Sequence, residues 1–99
     1  YTLFLIAGDK KASLKKIKKN IKFSDVSMAS AEEVKSITGY TIGGVSPVGH
    51  IENVDIYIDN SLERFDFLFA AAGHPNCIFK ISFFDLKKIT KGVIENIIE

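Results

Sequence analysis

The chain opens on an apolar and β-branched run, Tyr1-Thr2-Leu3-Phe4-Leu5-Ile6-Ala7, closed by the turn pair Gly8-Asp9. So short a run of such residues predicts a strand. Continuous apolar runs belong to strands covered on both faces, so material preceding Tyr1 is expected to complete the domain. From Ser13, a candidate N-cap, the apolar residues Leu14, Ile17 and Ile21 recur at helical spacing with lysines between them, which predicts a basic amphipathic helix. Ser30-Ala31-Glu32-Glu33 has the capping-box pattern, followed by Val34 and Ile37 on the face to be buried and by Gly39 as the stop. Val54, Ile56 and Ile58 alternate with Asp55, Tyr57 and Asp59, the period-two signature of a strand with one buried face. Phe65–Ala72 and Cys77–Ile81 read as two further strands around the turn Gly73-His74-Pro75-Asn76. Ser82 and Asp85 begin a last helix that ends near Gly92, and Val93–Ile98 is expected to form a closing strand. This order of elements predicts a single α+β, or mixed α/β, domain over residues 1–99 with a mixed, partly barrel-like sheet flanked by short helices.

Composition narrows the class. With 46% hydrophobic and 25% charged residues, the chain has enough apolar surface to fold. The net charge of +1 hides an asymmetry: residues 1–50 carry eight lysines against four acids, whereas residues 51–99 carry four lysines and Arg64 against eight. The excess lies in Lys10, Lys11, Lys15, Lys16, Lys18, Lys19 and Lys22, which either forms a solvated helix face or contacts phosphates. Cys77 is the single cysteine, so no intrachain disulfide can form. It opens an apolar strand and is expected to be a buried structural thiol. A reducing, cytoplasmic setting fits this usage, and no apolar run approaches the length of a membrane helix.

The most unusual segment is Thr38–His50, in which four glycines and Pro47 occur within thirteen residues. Paired glycines let backbone N–H groups approach a ligand closely. The loop matches neither the Walker phosphate pattern nor the dinucleotide fingerprint. The histidines, Asp59 and Cys77 lack the short spacings that mark a metal site, so neither metal nor cofactor is expected.

Thr38-Gly39-Tyr40 followed by Gly43-Gly44-Val45-Ser46-Pro47 and Gly49 resembles the distinctive motif of the YbaK/EbsC family of aminoacyl-tRNA deacylases. Gly8-Asp9-Lys10-Lys11 ahead of Leu14-Lys15-Lys16-Ile17, Met28–Glu33, Asp59, Ala72–Asn76 and Asp85-Leu86 follow in the family's order. The resemblance implies an editing hydrolase that acts on mischarged tRNA, tRNA(Pro) with alanine or cysteine foremost. Its partners would be the tRNA acceptor end and a prolyl-tRNA synthetase. It also implies a substrate pocket bordered by Thr38, Gly39, Tyr40, Pro47, Gly49, Asp59, Gly73 and His74, with the phosphates held by Lys15, Lys16 and Lys19. The family's active-site lysine, in a strand preceding the one that matches Tyr1–Ala7, is expected upstream of Tyr1. The bacterial Cys-tRNA deacylase branch carries a serine near Ala71 and an arginine where this chain has His74-Pro75, so the amino acid removed is left open.

Ester hydrolysis needs an attacking group and stabilisation of the tetrahedral oxyanion. The N–H groups of Gly43, Gly44 and Val45 are candidate donors to that oxyanion or to the ribose. Ser46 is either a nucleophile or a hydrogen-bonding loop serine, and family analogy favours attack by water or by the substrate's own side chain. His50 and His74 are candidate acid/base groups or fixtures of their turns. Asp59 either caps a turn or orients the glycine loop. A non-catalytic tRNA-binding module appended to a prolyl-tRNA synthetase is the alternative, and a small-molecule-binding protein with the same pocket is a third reading.

Overall fold

The computed structural model describes residues 1–21, 26–74 and 76–99. Lys22 of the lysine cluster and Pro75 of the expected hairpin turn lie outside the described residues. The elements run β1 (Thr2–Leu5), α1 (Leu14–Ile21), α2 (Ala31–Thr38), β2 (Asp55–Asp59), a 3₁₀ turn (Asn60–Arg64), β3 (Phe67–His74), β4 (Cys77–Ser82), α3 (Phe83–Thr90) and β5 (Val93–Glu95). The domain is of mixed α+β type, as its sequence pattern implies. Among the described residues the strands form two separate sheets and no closed barrel: a three-stranded parallel sheet in the order β1-β2-β5, and the antiparallel hairpin β3-β4.

Local sequence accounts for most boundaries. The Ser30 hydroxyl accepts the Glu33 N–H at 3.1 Å while the Glu33 carboxylate accepts the Ser30 N–H at 3.0 Å, a complete capping box. Gly39 ends α2 in the left-handed region, at φ 83°. Ser82 caps α3 by accepting the Asp85 N–H at 3.1 Å. That helix stops at Lys91, itself left-handed at φ 54°. Gly92 serves a different purpose: a Cβ there would stand 2.8 Å from Ile58 Cδ1, so glycine lets the chain pass close to that buried side chain as it enters β5 beside β2.

Four expectations are corrected by the fold. The period-two reading of residues 54–59 fails at its end, where Ile58 and Asp59 are both 0% exposed, because β2 is the central strand and is enclosed on both faces there. The strand expected from Phe65 starts at Phe67, since Asp59 caps the 3₁₀ turn that occupies the preceding residues. The closing strand is three residues long rather than six; Ile98 instead forms an isolated antiparallel bridge with Ala12. The core is Ile58, Leu62 and Leu86, packed against Leu5, Ala7, Ile56, Leu68, Ile81 and Phe83. Cys77, expected to be buried, is exposed, because it pairs with His74 beside the hairpin turn, away from this core.

Candidate functional site

The glycine-rich loop is held by its own polar groups. Thr38, buried at the end of α2, places its hydroxyl 2.6 Å from the Val34 carbonyl and accepts the Tyr40 N–H at 3.0 Å. The Tyr40 hydroxyl then reaches across the loop to donate to the Val48 carbonyl at 2.8 Å, with the Gly49 carbonyl at 3.3 Å. Two glycines make room for that ring. A Cβ on Gly49 would lie 2.7 Å from the Tyr40 oxygen, and one on Gly73, in β3, would lie 3.0 Å from its Cε1. Both have positive φ, 77° and 95°. Tyr40 therefore ties the loop to itself and to the hairpin.

Ser46 and His50 brace the second half of the loop. Ser46 is 5% exposed, its hydroxyl accepts the Val48 N–H at 3.3 Å, and its carbonyl accepts a hydrogen bond from His50 Nε2 at 2.7 Å. The His50 ring stands edge-on to Tyr40 at 6.0 Å. Both residues are thus committed to loop structure, and no base stands beside the serine hydroxyl among the hydrogen bonds of the described residues.

One side of this loop walls a cavity of about 740 Å³, within the range of small-molecule sites. Thr38, Ile42, Gly43 and Val45 contribute from the loop, Val34 and Ile37 from α2, Leu3 and Phe4 from β1, and Leu14 and Ile17 from α1. The walls are mainly apolar, with Glu33 as the acidic group. Its carboxyl lies below the ordinary glutamate range, chiefly because it accepts the Ser30 backbone N–H and next because it accepts the Tyr1 hydroxyl. The same contact raises Tyr1. Of the three candidate N–H donors, Gly44 is consumed by a bond to the Thr41 carbonyl at 3.0 Å. The N–H groups of Gly43 and Val45, both at the cavity, find no acceptor among the described residues.

The expected site residues do not all converge. Pro47, Gly49 and His50 line a second, smaller hollow of about 250 Å³ with Glu52, Asn53 and Thr90. Gly39 is the helix cap, with the Ile51 side chain 3.0 Å from where its Cβ would be. His74 is exposed on the hairpin, where its Nδ1 accepts the Asn76 N–H at 3.2 Å. Asp59 lines neither hollow; it is wholly buried and bonded to Ser61 and Ile97. Among the lysines, Lys15 and Lys19 are exposed, whereas Lys16 is half-buried and turns its ammonium to Asn96 Oδ1 at 3.4 Å. The α2 and β1 walls of the cavity were not anticipated, because Val34, Ile37, Leu3 and Phe4 read as residues of buried faces. No three acidic, histidine or cysteine side chains gather as a metal site among the described residues.

The model of the aminoacyl-tRNA editing domain matches residues 1–89. The chain belongs to this family. It is 38% identical to the uncharacterized protein YwhH of Bacillus subtilis (strain 168) over 81% of its own length and 50% of that protein's. It is 35% identical to a proline–tRNA ligase of Caldicellulosiruptor bescii over 64% of its length, which is 11% of the ligase. A solved structure presented as a candidate trans-editing enzyme for prolyl tRNA synthetase superimposes with a TM-score of 0.94 at 32% identity, covering 99% of this chain and 62% of the other. The editing-domain chain thus spans about half of YwhH and under two thirds of that structure.

Proposed function

We propose that the chain supplies the pocket and a tRNA-binding face of a trans-editing hydrolase that deacylates mischarged aminoacyl-tRNA. The substrate is tRNA(Pro) bearing a wrong amino acid, alanine or cysteine. The observation that carries this reading is the pair of unpaired N–H groups, Gly43 and Val45, on a braced glycine loop at the edge of a large apolar cavity. An amino-acid side chain fits an apolar enclosure of this size, and the two donors suit the oxyanion of its carbonyl.

Hydrolysis breaks the ester between that carbonyl and the terminal ribose. Water adds hydroxide to the carbonyl carbon, and its remaining proton passes to the departing ribose oxygen. The commitment of the Ser46 hydroxyl to Val48 supports attack by water, or by the substrate's own side chain, over a serine nucleophile. Residues 1–99 hold the loop, the cavity and the basic helix, and no lysine lines the cavity among the described residues. The exposed Lys15 and Lys19 hold acceptor-end phosphates in the cytoplasm, where a prolyl-tRNA synthetase is the associated enzyme.

The full-length protein is expected to release alanine or cysteine from mischarged tRNA(Pro), and Gly44→Val, which crowds a buried glycine of the loop, to abolish release. Tyr40→Phe keeps the fold and is expected to slow release, which separates a site defect from unfolding. No turnover by the wild type across a panel of mischarged tRNAs overturns the proposal.

The relation to a proline–tRNA ligase favours a second reading, a non-catalytic tRNA-binding module of such a synthetase. Salt-dependent tRNA binding without release is its signature.

A further inference from the structure

We propose that Asp59 is a positioning residue for the basic helix α1, acting through the last residues of the chain and not in the aminoacyl pocket. The proposal rests on the reading of α1 as a phosphate-binding face. Asp59 sits at the end of the central strand with no exposed surface. One carboxylate oxygen accepts the Ile97 N–H at 3.0 Å; the other accepts the Ser61 N–H at 3.0 Å and the Ser61 hydroxyl. Ile97, also 0% exposed, passes the connection on, because its carbonyl accepts the N–H of Ser13 at 2.8 Å. Ser13 is the residue whose hydroxyl accepts the Lys16 N–H at 3.2 Å and so opens the helix. Two hydrogen bonds therefore lead from a buried charge to the start of α1.

The rest of the terminal segment clamps the same helix. Ile98 bridges Ala12, the Glu99 N–H donates to the Lys11 carbonyl at 3.0 Å, and Asn20 near the end of α1 donates to the Asn96 carbonyl at 2.8 Å. Lys16 turns inward to this strap, leaving Lys15, Lys18 and Lys19 exposed at the i, i+3, i+4 spacing of one helical face. Residues 96–99 lie outside the 1–89 stretch matched by the family model. A carboxylate is needed at its centre because it accepts on both sides. An asparagine would present its NH₂ to the Ser61 donors or to Ile97 and leave one bond unmade.

The test compares wild type, Asp59→Asn and Asn20→Ala in the full-length protein on mischarged tRNA and on a short aminoacyl-adenosine ester lacking the tRNA body. Hydrogen exchange is followed at the Ser13, Ile97 and Gly44 amides. For Asp59→Asn the expected result is a KM for tRNA raised about tenfold, kcat held within about twofold, and unchanged kinetics on the short ester. Exchange should quicken at Ser13 and Ile97 but not at Gly44. Asn20→Ala, at an exposed contact, keeps the fold and is expected to raise the KM in the same direction by a smaller factor. An equal loss of kcat on the short ester places Asp59 in the pocket and overturns the proposal, as does unchanged Ser13 protection. Lys15→Ala/Lys19→Ala is the control for the underlying reading. If it leaves tRNA affinity unchanged, the phosphate face is wrong; if it weakens affinity while Asp59→Asn and Asn20→Ala do not, the clamp is wrong.

Discussion

The glycine loop and the basic helix meet the same cavity, yet they are held in place by opposite means. In the loop, position is set by backbone conformation: Gly39, Gly43 and Gly49 take positive φ, and Tyr40 spans the gap to Val48 within ten residues of itself. In α1, position is set by distant partners, since Asn20 bonds to Asn96 and Ser13 to Ile97, which itself hangs from Asp59. A site whose geometry is local resists change elsewhere in the chain but fails when one of its own glycines is altered. A face whose geometry is borrowed fails when a remote anchor goes.

The largest expected effect breaks the loop side. Gly49→Ala forces a side chain into left-handed backbone and against the Tyr40 oxygen, and should cost about 2–3 kcal/mol, read as a fall in Tm of roughly 8–24 °C. If Gly49→Ala is neutral, the bracing by Tyr40 is not as described.

The helix side has its counterpart in Asp59→Asn, for which a loss of about 2 kcal/mol is expected from the charge-assisted bonds to Ile97 and Ser61. Burial by itself would raise the Asp59 carboxyl, but the hydrogen bonds from Ile97 and Ser61, with the charge of Lys16, outweigh it and hold the group below its ordinary value. The native pKa thus lies below the unfolded one. This stabilisation is complete above about pH 4 and is lost as the pH falls further through the native value. Acid denaturation should show the dependence in the wild type and lack it in Asp59→Asn; identical acid limbs would contradict the assignment.

Smaller effects sharpen the contrast. Tyr40→Phe removes the hydroxyl that joins the two halves of the loop and should cost about 1–1.5 kcal/mol in denaturant unfolding. Ser30→Ala breaks the capping box ahead of the loop and should cost about 1 kcal/mol. Lys15→Ala and Lys19→Ala should change stability by less than about 0.5 kcal/mol, while each reduces the slope of log affinity for tRNA against log salt by about 0.7–0.9. Lys16→Ala should leave that slope unchanged, because its ammonium faces the strap.

The same contrast separates what could be read from the residues from what could not. Gly39 as a helix stop, the Ser30 capping box and the unusual character of Thr38–His50 were legible because each depends on residues within a few positions of one another. The family followed from that loop. Asp59 as the cap of a turn was legible, but its second bond was not, since Ile97 lies thirty-eight residues away and nothing in either residue type announces the pairing. Lys16 could not be told from Lys15 and Lys19 for the same reason: the strap that draws it inward comes from Asn96. The exposure of Cys77 was missed because an apolar strand was equated with a buried one, whereas the hairpin carries Phe67, Phe69 and Ile78 on an exposed face as well.

The most direct test of the central claim is a single-turnover assay of the full-length protein with tRNA(Pro) charged with alanine or with cysteine, run beside correctly charged tRNA. Rapid release of the wrong amino acid by the wild type, absent in Gly44→Val at unchanged tRNA affinity, is the predicted result. Tight, salt-sensitive binding of every charged tRNA with no release above the uncatalysed rate would contradict it and leave a binding module in its place.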